Sequence, residues 1–275
     1  MTPRTARRGV LPGFGLSFGL ATTYFGLIVL LPLAGLVVRS AAVPAAKAIA
    51  LFSDPRTLSA FRVSLMTSAA AALASIPIGL LLAWVLERYR FPGRRLLDAA
   101  IDLPFALPTA VAGIALSTLY VPKGWLGQWF ASVGVQVAYT PLGIGVALLF
   151  VSLPFSVRTV QPVLAGLDRS ADEAALVLGA SPLQIFARVI LPVLAPAIAT
   201  GAALAFARAV GEYGSVIFIA GNRPMVSEIL PLLIVTRLEQ FDYPGAALLG
   251  TAMLAVSLAI LLGMEALRPR RPRDA

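Results

Sequence analysis

Cysteine and histidine are both missing from this 275-residue chain. Their absence excludes a disulfide framework, a zinc site of the usual ligand types, a cysteine nucleophile and a histidine general base. Charge is scarce too: 13% of residues are Asp, Glu, Lys or Arg, where a soluble domain carries about 25%. No G-x-x-x-x-G-K-[ST] run occurs, so nothing here cradles nucleotide phosphates in the P-loop manner. What is abundant is apolar. The chain is 59% hydrophobic with a mean hydropathy of +0.88, which indicates lipid as its main solvent.

A formal charge of +9 suggests nucleic acid until its placement is considered. The basic residues sit at the ends of apolar segments, where they set topology, so no nucleic-acid partner is expected. Six runs have roughly the length of a membrane span: Ser17 to Val38, Val63 to Leu86, Leu103 to Tyr120, a stretch within Pro141 to Val160, Val193 to about Ile219, and Tyr243 to Met264. The third is slightly short and the fifth contains Arg208 and Glu212. Placing the N-terminus in the cytoplasm puts fourteen arginines inside, among them Arg88, Arg94, Arg158 and Arg188, against six basic residues outside. Both termini are therefore expected in the cytoplasm. The apolar run after Arg4, Arg7 and Arg8 is too long for a signal peptide and reads as a retained first helix.

The expected fold class is an all-α membrane protein of six spans. It is expected as one transmembrane domain over 1–275, with a cytoplasmic tail at 1–16, a cytoplasmic loop at 164–192 between spans four and five, and a basic tail at 266–275. In the outer loop, Trp125, Leu126, Trp129, Phe130 and Val133 share a helical face, which predicts a short interfacial helix in contact with membrane lipid. Proline punctuates the spans at Pro32, Pro77, Pro104, Pro108, Pro154 and Pro162, as suits kinked helices around an internal path.

Between Gly166 and Pro192 the chain reads GLDRSADEAALVLGASPLQIFARVILP. Ser170 with Glu173 predicts a capping box, and Gly179 a sharp turn. Ser181 with Gln184 predicts a second capping box with Pro182 at the first helical position. Two short helices joined by a bend are expected, with Pro192 just before the fifth span.

This segment matches the E-A-A, three residues, G, nine residues, I, one residue, L-P motif of ABC importer permeases. Here it is Glu173, Ala174 and Ala175, then Gly179, then Val189 in place of the usual isoleucine, then Leu191 and Pro192. The stretches DLPFALPTAVAGIAL (Asp102 to Leu116), SLPFSVRTVQPVL (Ser152 to Leu164), GEYGSVIFIAGN (Gly211 to Asn222) and RLEQFDYPGAA (Arg237 to Ala247) resemble the sulfate/thiosulfate permeases, most closely their T-type subunit.

The resemblance implies a type I importer permease in the bacterial inner membrane, with Glu173 to Pro192 as the coupling segment that docks on an ATPase. It implies two ATP-binding cassette subunits, a homologous second permease and a periplasmic sulfate-binding protein as partners. The chain itself would be non-catalytic and bind no cofactor or metal, ATP and Mg²⁺ belonging to the ATPase. Alternating access, driven through the coupling segment, would carry the anion.

Arg208 and Glu212 lie four apart, either as a structural ion pair or with Arg208 lining an anion path. Asp102 reads as an interfacial or capping residue, and Arg62 as one that snorkels to headgroups. Two rivals remain open: a molybdate or tungstate permease, which shares the motif, and a secondary transporter, which would show inverted repeats or proton-relay chains.

Overall fold

A computed structural model describes residues 13–266; the tail arginines Arg4, Arg7, Arg8, Arg268, Arg270, Arg271 and Arg273 lie outside the described residues. All regular structure among the described residues is helical. Among the described residues, five helices are long and apolar enough to cross a bilayer: α1 (Phe14–Ala41), α3 (Pro55–Arg88), α8 (Pro141–Ala165), α10 (Pro182–Val210) and α13 (Tyr243–Ala266). A short α2 (Ala45–Ser53) precedes α3.

The predicted third span differs. It is broken at Leu107 and Pro108 into α5 (Leu103–Ala106) and α6 (Thr109–Tyr120), preceded by α4 (Arg94–Ile101). Leu107 takes an extended conformation because it precedes a proline. At about 1.5 Å per residue, the twelve residues of α6 reach roughly 18 Å, short of the ~30 Å hydrocarbon core.

The fifth span is also shifted. It begins at Pro182, ends at Val210, and is followed by a break and the short α11 (Val216–Ala220). The loop toward α13 contains α12 (Leu230–Glu239), and α7 (Gly127–Ser132) provides the expected helix after α6. Two wide π turns occur, at Gly26–Leu30 and Phe186–Ile190. Each is followed by Leu-Pro, at Pro32 and Pro192. A proline lacks the N–H that would continue the regular ladder and crowds the carbonyl four residues back, and the wider turn absorbs the mismatch.

α3, α8 and α10 form the trunk. Small residues set their spacing, as they do wherever membrane helices pack without a hydrophobic driving force. A Cβ on Gly79 would come within 2.7 Å of the Ser156 Cβ, and one on Gly201 would strike the Thr159 hydroxyl. α11 and α12 add Val216, Ile219 and Leu232 to one end of this core. At the other end, Leu86, Val157, Leu164, Ile185 and Leu194 are buried together. α1 buries none of its residues and touches the rest mainly through α13.

Candidate functional site

Helix α9 (Arg169–Val177) leaves the trunk after α8, and the chain returns through Gly179 into α10. The N-cap of α9 is Asp168 rather than Ser170: its carboxylate accepts the Ser170 backbone N–H at 3.0 Å. The expected Ser170–Glu173 capping box is therefore not formed. The D-R-S-A-D-E run holds three cap-competent residues, Asp168, Ser170 and Asp172, and the helix starts on the first. That bond holds the Asp168 carboxyl below the usual carboxylate range.

The second predicted box is present. Ser181 Oγ accepts from the Gln184 N–H at 3.4 Å, and the Gln184 side chain accepts from the Ser181 N–H at 2.8 Å. Gly179 makes the bend with φ +81°, a left-handed conformation that glycine adopts without penalty. The second short helix is not separate, because it runs through the π turn into the rest of α10, carrying Leu191 and Pro192 inside one continuous helix.

The motif residues divide between two faces. Ala175 and Val189 pack toward the core with Ile185 and Ile190. Glu173 and Ala174 face outward. Around them lies an apolar surface that the chain leaves uncovered: Val177 is 88% exposed, Leu178 87% and Leu183 76%. These three apolar side chains flank the turn between α9 and α10.

Behind the loop, the arginines expected as topology markers have specific partners. Arg158 on α8 donates to Asp102 at 2.9 and 2.6 Å, to Asp98 at 2.7 Å and to Gln161 at 2.6 Å. Asp102 is thus an ion-pair partner across α4 and α8, not merely a cap. Gln161 in turn donates to Glu87, which faces Arg94 at 3.6 Å. Arg88, the last residue of α3, faces Asp172 on α9 at 3.3 Å.

The intramembrane pair forms as its spacing predicts. Arg208 Nη1 lies 2.6 Å from Glu212 Oε2, although the helix ends at Val210 and Glu212 sits in the break beyond it. Glu212 is almost fully buried, at 3% side-chain exposure against 32% for Arg208, and also accepts the Ser215 N–H and hydroxyl at 2.8 and 2.9 Å. α6 lies directly against this break: a Cβ on Gly113 would meet the Ser215 backbone, and one on Gly214 would meet the Thr109 side chain.

At the end of the trunk away from the coupling loop, Arg56 grips the buried Glu228 with two hydrogen bonds of 2.7 and 2.6 Å. Asp242 bonds Lys47 at 2.9 Å and Arg237 at 3.4 Å. The Lys47 ammonium is the main reason the Asp242 carboxyl lies below its ordinary range, with burial opposing it and the Gly245 N–H and Arg237 assisting. Arg62 is exposed and, among the described residues, its guanidinium meets Met66 and no acid. No cluster of His, Cys, Asp and Glu suited to a metal is found among the described residues.

Long apolar helices around a small-residue trunk, with the exposed helix α9 and its glycine bend between two spans, define a polytopic transport permease. The chain belongs to the family of binding-protein-dependent transport system inner membrane components, whose model matches residues 75–273. It is therefore a multi-pass component of an inner-membrane transport system. It is 48% identical over 263 residues to the sulfate transport system permease protein CysT of Escherichia coli K12, covering 96% of this chain and 95% of that one. The probable sulfate transport system permease protein of Nephroselmis olivacea is 50% identical over 249 residues, 90% of this chain and 88% of its own. A bacterial ABC transporter that imports the acidic polysaccharide alginate has the same fold: TM-score 0.76 over 95% of this chain and 97% of that one, at 17% identity.

Proposed function

We propose that the chain is the non-catalytic, membrane-spanning subunit of an ATP-driven importer of sulfate and thiosulfate that works by alternating access. The observation that carries the reading is the exposed surface of α9 and its bend, where Glu173 and Ala174 face outward beside Val177, Leu178 and Leu183. A helix presenting such a face fits a groove on a partner protein, here one of two ATP-binding cassette subunits. ATP and Mg²⁺ belong to those subunits, and this chain binds no cofactor. The arginines gathered at the same end (Arg88, Arg90, Arg94, Arg95, Arg158 and Arg188) favour a cytoplasmic location for it and for both termini. A second, homologous permease completes the path, and a periplasmic sulfate-binding protein delivers the anion.

Each element contributes to the cycle. The coupling surface moves with its ATPase subunit. Gly179 turns that motion into α10, which continues without interruption past Leu191 and Pro192 to the Arg208–Glu212 pair. Arg208 is the accessible member of the pair and lowers the barrier for a dianion along the path, while Glu212 holds it in register. Glu212 itself is fixed by Ser215 at the helix break.

The test is ATP-dependent uptake of labelled sulfate by the complete transporter in liposomes, with molybdate as competitor and Gly179→Asp as the variant. Sulfate uptake that requires ATP and collapses in an intact Gly179→Asp complex is expected. Uptake dominated by molybdate would overturn the cargo. Uptake indifferent to ATP and to Gly179 would overturn the class.

A further inference from the structure

We infer that Arg88 is a positioning residue through which the coupling helix α9 drives α3 directly, as a second line of transmission beside the covalent one through Gly179 into α10. The inference rests on the proposed coupling role of α9. Among the described side chains of α9, Asp172 and Ala175 are the ones not exposed. Neighbouring acids therefore face opposite ways: Glu173 looks out toward a partner, and Asp172 looks back at α3. Asp172 meets Arg88 at 3.3 Å with both side chains largely covered, at 18% and 13% exposure. Eighty-odd residues separate them in sequence, so the contact fastens two segments that the backbone does not join.

The placement suits each charge independently. Arg88 ends α3, where the helix dipole favours a cation, and Asp172 lies in the first turn of α9, where it favours an anion. The guanidinium is set by Trp84 one turn earlier, whose ring centroid lies 5.3 Å from it. Trp84 in turn packs edge-on against Phe186 at 5.7 Å, in the π turn of α10. Asp172, Arg88, Trp84 and Phe186 thus form one line of contact through α9, α3 and α10.

The pair is incompletely made. Arg88 Nε and Nη2 and Asp172 Oδ1 are buried and make no hydrogen bond. Buried polar groups left in that condition are costly, so the site favours any displacement that lets the fork close on both carboxylate oxygens. A small movement of α9 toward α3 does so. The contact is therefore loose in this conformation and tightens when the ATPase engages α9, drawing α3 along with α10.

The experiment measures sulfate uptake and ATP hydrolysis in parallel, in liposomes carrying the complete transporter with Arg88→Gln, Asp172→Asn or both. Wild-type uptake that fails to depend on ATP would sink the importer reading itself and is recognised before any variant is compared. Given a coupled wild type, each single variant should assemble and hydrolyse ATP while uptake per ATP falls about fivefold, the lower range of coupling between linked sites. The double variant should fall no further, as expected for two partners in one interaction. Should Arg88→Gln not assemble, Asp172→Asn makes the same test from the loop side. An unchanged ratio, losses of uptake and hydrolysis in equal proportion, or a double variant whose loss multiplies the single losses would each overturn the inference.

Discussion

The hydroxyls of Ser75 on α3 and Ser156 on α8 lie 2.6 Å apart in the buried seam between those helices, next to the close approach of Gly79 to Ser156. Two terms of different size meet there. A hydrogen bond between membrane helices contributes about 0.6 kcal/mol, because the hydroxyl finds other partners when it is lost. Added volume in a filled seam costs about 1–3 kcal/mol. Ser75→Ala should barely move the thermal midpoint of the purified protein in detergent, whereas Gly79→Val should lower it clearly. Equal effects of the two would show that spacing does not dominate the seam.

Arg208 and Glu212 should respond unequally to substitution. Glu212→Ala strands an arginine within the membrane, at about 2.5–3.5 kcal/mol on insertion scales, and frees the Ser215 N–H at the helix break. Its expected outcome is a reduced yield of folded protein in the membrane. Arg208→Ala leaves Glu212 its Ser215 donors, so the folded yield should hold while sulfate uptake falls. A loss of folded protein with Arg208→Ala would assign the pair a purely structural role.

Asp242 gives a dependence on acid. Its carboxyl lies below the ordinary range in the folded chain because Lys47 donates to it. A native value below the unfolded one, about 3.9, means that its contribution is present above that value. It is lost as pH falls through the native value. Wild-type stability should therefore decline in this acid window more steeply than that of Asp242→Asn, when thermal midpoints are followed from neutral pH downward.

The two ends of the loop separate cap from bystander. Asp168→Ala removes the N-cap of α9 and should speed amide exchange in its first turn, at Ser170 and Ala171. Ser170→Ala should leave that exchange nearly unchanged. Ser181→Ala should loosen the start of α10 by about 1 kcal/mol, since its capping box is made.

Much of this was readable along the chain, for a physical reason. A span announces itself by a run of about 20 apolar residues, and caps and bends announce themselves within four residues. Gly179, Ser181 and Gln184 fall where such local signals place them. Pro104 and Pro108 carried the signal for the broken third span, but a long apolar run outweighed it. α12 was hidden for the same reason in reverse: ten residues before Gln240 are too few to register as a span. Contacts between distant segments left no local trace. Arg158 finds Asp98 and Asp102, Arg56 finds Glu228, and Arg88 finds Asp172 only once the helices are laid side by side.

The closeness of the trunk limits how it can move. Gly79 against Ser156 and Gly201 against Thr159 leave no room for one helix to slide past the next without backbone meeting side chain. Shear between packed helices is limited to small slides. α3, α8 and α10 are therefore pinned to one another at these two levels. In the proposed cycle the flexing falls away from them, to the helix ends beside the coupling loop and to the places where the helices are interrupted: Leu107 with Pro108, and Gly211 through Ser215.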